Sequence, residues 1–181
     1  MPIDADTSIE QVAGLVSEAL TSAGITAVLS GGAAVQIYTS GLYPSRDLDF
    51  VSPAGHREIE AVLRPLGFER LSGRHFVHPS CPFTVEFPTW PLAVGRELIG
   101  EWGTRRVGRL RIQMLTPTQC VMDRLAAFFH WRDRQALDQA IAVASSQTVD
   151  LETVERWSAS EGHGPEFVVF LEALTLKRLG D

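Results

Sequence analysis

The segment from Ile25 to Val51 sets the strongest limit on how this chain can fold. Ile25-Thr26-Ala27-Val28-Leu29 is short, apolar and partly β-branched, the pattern of a buried strand. It stops at Ser30-Gly31-Gly32. Ala33 to Tyr38 then reads as a short helix, closed by turn residues at Ser40-Gly41. Fifteen residues after the glycine pair comes Asp47-Leu48-Asp49-Phe50-Val51, a second strand by its apolar positions. Side chains alternate faces along a strand, so Asp47 and Asp49 project the same way, about 7 Å apart along the backbone. Asp is poorly suited to strands, so two of them amid Leu, Phe and Val need a reason. The other Asp-x-Asp, Asp4-Ala5-Asp6, has no apolar flanks and reads as a solvated end before a helix.

Chemistry supplies a reason for Asp47 and Asp49. Two unpaired carboxylates side by side repel, and a divalent cation removes the repulsion. Oxygen-only ligation favours a hard cation such as Mg²⁺. The strand, glycine turn and helix start before them form an anion site. Free backbone N–H groups point outward there, the helix dipole favours negative charge, and glycine lets a phosphate approach closely. Ser30 and Ser45 either hydrogen-bond phosphate oxygens or cap turns. Arg46 is expected to face away from Asp47, where it meets phosphate or solvates an edge.

The remaining pattern predicts an α/β (α+β) fold. Thr7-Ser8 opens a helix with Ile9, Val12, Leu15, Val16 and Ala19 on one face, ending before Gly24. His56 to Leu66 is helical, and Phe68–Leu71, Arg74–His78, Phe83–Phe87 and Leu110–Leu115 are strand candidates. Thr116-Pro117 is an N-cap with Pro at the first helical position, starting a helix that runs to about Trp131. Further helices follow from Asp133, Asp150 and Pro165. A core over 1–115, with a small mixed sheet, is therefore followed by a helical segment over 116–181. On those helices Arg124, Arg132 and Arg134 are candidates to grip a triphosphate or an RNA backbone, or else form interhelix salt bridges. Trp131 is expected to pack in the core or between helices, with base stacking as the alternative. His130 is expected to be a packed helix-end histidine.

A net charge of −6 does not indicate a strongly basic nucleic-acid binder, although Arg105, Arg106, Arg109 and Arg111 cluster. Cys81 and Cys120 form neither a disulfide framework nor a zinc pattern. No apolar run approaches the length of a membrane span, and the acidic start lacks a signal-peptide pattern, so the cytoplasm is the expected location.

Leu29-Ser30-Gly31-Gly32 with Arg46-Asp47-Leu48-Asp49-Phe50 resembles the signature of the polymerase-β-like nucleotidyltransferase superfamily. The spacer between the two halves is slightly longer than usual. The family uses a third carboxylate on a later strand, and Phe83-Thr84-Val85-Glu86-Phe87 matches it at Glu86, where many active relatives carry Asp. Residues 116–127 and 131–140 resemble the helical segment of small bacterial members, including abortive-infection toxins. The resemblance implies an enzyme that uses two Mg²⁺ ions held by Asp47, Asp49 and Glu86. It would move a nucleotidyl group from an NTP to an RNA or tRNA 3′ end or a protein side-chain hydroxyl, with a cognate antitoxin as partner. A catalytically degenerate nucleotide-binding module, or a protein-interaction module on the same fold, is the alternative.

Overall fold

A computed structural model describes residues 2–180; Met1 and Asp181, the outer ends of the two expected segments, lie outside the described residues. In chain order the elements are α1 (Ile9–Ser22), β1 (Val28–Ser30), α2 (Gly31–Tyr38), β2 (Asp47–Val51), α3 (His56–Leu63), a 3-10 turn (Arg64–Leu66), β3 (Glu69–Ser72), β4 (His75–His78) and β5 (Cys81–Glu86). A short hairpin, β6 (Ala93–Val94) and β7 (Glu97–Leu98), precedes β8 (Gly103–Val107) and β9 (Leu110–Met114). Four helices complete the described residues: α4 (Pro117–Trp131), α5 (Arg134–Ser146), α6 (Leu151–Ser160) and α7 (Gly164–Gly180).

Seven strands form one mixed sheet in the order β3-β4-β5-β2-β1-β9-β8. The pairs β2–β5 and β1–β9 are parallel and the other neighbours antiparallel. β2 lies near the middle because its alternate residues Leu48 and Phe50 are wholly buried. Each such side chain contributes about 1.5–3 kcal/mol relative to exposure. Val85 of β5 and Phe76 of β4 extend the same apolar face across the sheet. α1 rests on β8 and β9, whereas α2 lies over β1 and β2 and is packed in turn by α4 and α5.

Local sequence explains most of the element ends. Ser8 and Gln11 cap α1 reciprocally, and Thr116 and Gln119 do the same for α4. The first strand begins at Val28 rather than Ile25. Gly24, at φ +73°, ends α1, and the Ile25 N–H donates back to the Leu20 carbonyl at 2.9 Å, so Ile25 still belongs to the helix-closing turn. The third helix stops at Leu63 because Pro65, lacking an N–H, leaves Arg64–Leu66 in a tighter turn. β8 and the β6–β7 hairpin are additions to the sequence reading. β8 is an edge strand, and its outward residues Thr104 and Arg106 are exposed.

Several hydrogen bonds tie the helical segment to the sheet half. Gln147 donates from Nε2 to the Tyr38 carbonyl at 2.8 Å, at the end of α2. The hairpin turn at Gly95-Arg96 clasps the end of α6. There the Arg96 N–H donates to Glu161 Oε1 at 3.0 Å, and its guanidinium donates to the Ser160 carbonyl at 2.6 Å. Among the described residues no helix is long and apolar enough to cross a membrane.

Candidate functional site

Strand pairing lines up one polar row across four strands. Ser30 of β1 is opposite Asp49 of β2, Asp49 is beside Glu86 of β5, and Glu86 is opposite His75 of β4. Residues in such a row share a face of the sheet. Leu48, Val85 and Phe76 make the next row and point to the other, apolar face. The acids are thus forced outward by the same alternation that buries the core. Asp47 stands two residues before Asp49 on the same face and is exposed.

Asp49 is the electrostatic centre of this face. Its carboxyl is pushed up from 3.8 to about 6, first by burial and then by the negative charges of Glu86, Asp47 and Asp123, with Arg124 pulling the other way. Carboxylates crowded without a full counter-charge behave in this way. The glycine pair closes directly onto the acids. Gly31 takes φ +66°, and a Cβ there would stand 2.5 Å from Asp49 Oδ2. A Cβ on Gly32 would stand 3.1 Å from Ser45 Oγ. Both the left-handed backbone and the close approach require Gly31 to be glycine. α2 begins on the glycine pair itself, and no side chain caps its N-terminus.

The other expected site residues divide into near and far. Ser30 Oγ donates to the Asp49 carbonyl at 3.4 Å. Ser45 serves the turn into β2: its Oγ donates to the Asp47 carbonyl at 3.1 Å, and its N–H donates to Gln36 Oε1 at 2.6 Å. Arg46 is exposed, and its carbonyl accepts from the Thr84 N–H at 2.9 Å. Arg124 is near: its Nη2 and Nε donate to Asp123 Oδ2 at 2.6 and 3.0 Å. Burial works against its charge, but Asp123, together with Cys120 and Asp49, holds the guanidinium above its usual range. Arg132 and Arg134 lie on the exposed α4–α5 turn, where Arg132 ends α4 at φ +52°.

A cleft of about 780 Å³ adjoins this face, lined by Arg96, Asp123, Arg124, His130, Trp131 and Glu161 among others. Asp47, Asp49 and Glu86 do not line it; Asp123 and Arg124 are the link. Trp131 corrects the sequence reading, being 76% exposed rather than packed, because it is the last residue of α4 and its neighbour Phe129 takes the inward position against Trp157. His130 is likewise exposed, its ring edge-on to those of Trp131 and His163. Among the described residues, no three His, Cys, Asp or Glu side chains are gathered closely enough to hold a metal ion between them. The acids share a row and a face without converging on one point. The donor set, oxygen-only and short of positive charge, suits a hard divalent cation. Sequence reasoning missed Asp123 and His75 as members of this neighbourhood, since both join it only through tertiary contacts.

No family model matches the chain, and no curated protein is significantly similar to it in sequence. Solved structures do match. An antigenic nucleotidyltransferase-like protein from Paracoccidioides brasiliensis superposes with a TM-score of 0.61 at 17% identity, over 79% of this chain and 78% of its own. ANT(2″)-Ia in complex with adenylyl-2″-tobramycin gives 0.54 at 15% identity, over 84% of this chain and 95% of its own. The solution structure of the antibiotic-resistance factor ANT(2″)-Ia gives 0.55 at 14%, over 96% and 100%. The chain has the nucleotidyltransferase fold.

Proposed function

We propose that the protein transfers a nucleoside monophosphate from a Mg²⁺-bound NTP to an acceptor hydroxyl. The observation that carries this is the Ser30–Asp49–Glu86 row with Gly31 pressed against Asp49. It sets a helix start able to receive an anion beside carboxylates able to take up a metal ion. Asp47, Asp49 and Glu86 are the metal ligands, and Mg²⁺ when bound neutralises the triphosphate and activates the attacking hydroxyl. Ser30, Gly31 and Gly32 receive the phosphates on the amides of α2. Arg46, Arg124, Arg132 and Arg134 supply positive charge along the nucleotide or acceptor, and Ser45 holds the turn that presents Asp47. The acceptor oxygen forms a bond to the α-phosphorus, the bond to the β-phosphate bridge oxygen breaks, and pyrophosphate leaves. Glu86 takes the hydroxyl proton. In this reading residues 1–115 carry the chemistry, and the helices of 116–181 wall the acceptor side.

The acceptor is an RNA or tRNA 3′ end or a protein hydroxyl, as the sequence resemblance implies. Such an acceptor goes with a cytoplasmic toxin held in check by an antitoxin. A second reading, a small cationic acceptor, is favoured by the acidic face, the net charge of −6 and the likeness to a protein solved with an adenylylated aminoglycoside. One experiment separates these. Each α-phosphate-labelled NTP is incubated with Mg²⁺ and, in parallel, whole-cell RNA, lysate protein or tobramycin. Label should reach one acceptor with the wild type and none with Asp47→Ala plus Asp49→Ala. Transfer undiminished in that double variant sinks the site assignment. Nucleotide binding without transfer to any acceptor marks the degenerate module instead.

A further inference from the structure

Glu86 differs from the two aspartates in carrying one more rotatable bond, so its carboxylate needs something to hold it. The structure provides a candidate. His75 is its direct partner in the β4–β5 register, and His75 Nδ1 lies 2.7 Å from Glu86 Oε1. The backbone around His75 is fixed on both sides. The Arg74 carbonyl accepts from the Phe87 N–H at 3.1 Å, and Phe76 is fully buried with its ring edge-on to Phe87 at 5.7 Å. The imidazole is therefore presented from a strand paired on both sides, at the end of the row that holds Ser30 and Asp49. Both side chains of the pair are partly exposed, 46% and 29%, and an exposed pair of this kind contributes little to stability. What it can do is select one orientation of the Glu86 carboxylate.

We infer that His75 is a positioning residue: its Nδ1 holds Glu86 Oε1 and leaves the other carboxylate oxygen for the metal beside Asp49. This deepens the proposed function and rests on it. Groups that orient metal ligands typically set affinity or activity by about 10–100-fold when removed. The same contact explains how a glutamate can serve where a shorter aspartate would need no such support.

The test uses Mn²⁺ as the probe, its binding read by electron paramagnetic resonance on the intact protein with a non-hydrolysable NTP analogue. Six proteins are compared: wild type, His75→Ala, His75→Asn, Glu86→Asp, Glu86→Asp with His75→Ala, and Asp47→Ala plus Asp49→Ala. His75→Ala should weaken Mn²⁺ binding about tenfold with its melting temperature unchanged. His75→Asn, whose amide nitrogen can stand near the place of Nδ1, should recover most of the loss. In label transfer, His75→Ala should lower kcat while leaving KM for the NTP near the wild-type value. With Glu86→Asp as background, where the carboxylate is too short to reach His75, His75→Ala should have no further effect. Wild-type Mn²⁺ affinity in His75→Ala, with binding lost in the aspartate double variant, overturns the inference and leaves the functional reading standing. Mn²⁺ binding unchanged in the aspartate double variant removes the site itself, and the role of His75 goes with it.

Discussion

Replacing Asp49 by Asn tests whether the acidic face is under electrostatic load. The Asp49 carboxyl is raised from 3.8 to about 6, so the folded protein holds its proton more tightly than the unfolded chain does. Stability from this group is complete below the unfolded value and is lost as pH rises through the folded one. At about 1.4 kcal/mol per pH unit between these values, the penalty is about 3 kcal/mol above neutrality. Asp49 retains some solvent contact, and screening reduces the figure to ~1–2 kcal/mol. Asn has the same shape and no charge at any pH. In thermal melts without divalent cations, Asp49→Asn should match the wild type at about pH 4 and exceed it at about pH 8 by ~1–2 kcal/mol. For a chain of this size that is a rise of about 2–8 °C. Millimolar Mg²⁺ should then raise the wild type and narrow the gap, because an ion that binds only the folded state stabilises it. A difference between the two proteins that is the same at both pH values would refute the argument.

Gly31→Ala should cost about 1–3 kcal/mol in urea unfolding, because the residue holds φ +66° and its new Cβ would meet Asp49 Oδ2; calorimetry should show nucleotide binding lost with it. Leu48→Ala, at a wholly buried position in a central strand, should cost about 2–5 kcal/mol by the same measurement. Trp131→Ala should leave stability within about 0.5 kcal/mol, since the ring is mostly exposed. Glu161→Ala removes a carboxylate that is only 4% exposed and accepts from the hairpin backbone, and limited proteolysis should then cut sooner within residues 93–98.

Local chemistry was legible in the sequence where a few adjacent residues decide the outcome. The caps at Ser8 and Thr116 and the alternation in Asp47–Val51 appear as read, while α2 starts at Gly31, two residues before the expected Ala33. The misses share a different cause. β8 is an edge strand with arginines on it, so no apolar alternation announces it, and β6 and β7 are two residues each. Their existence depends on partners elsewhere in the chain. The pairing of His75 with Glu86 is likewise set by strand register, and the approach of Asp123 to Asp49 by how α4 docks. A tryptophan in a helix pattern favours burial on average, whereas the position of Trp131 at the last turn decides otherwise.

The Arg96–Glu161 clasp joins residues 65 apart in the chain, on opposite sides of the boundary between sheet and helical segment. Neither half can melt away quietly while it holds. One apolar core also runs through both, so heating should give a single calorimetric endotherm, and cutting the clasp should lower its temperature without splitting it.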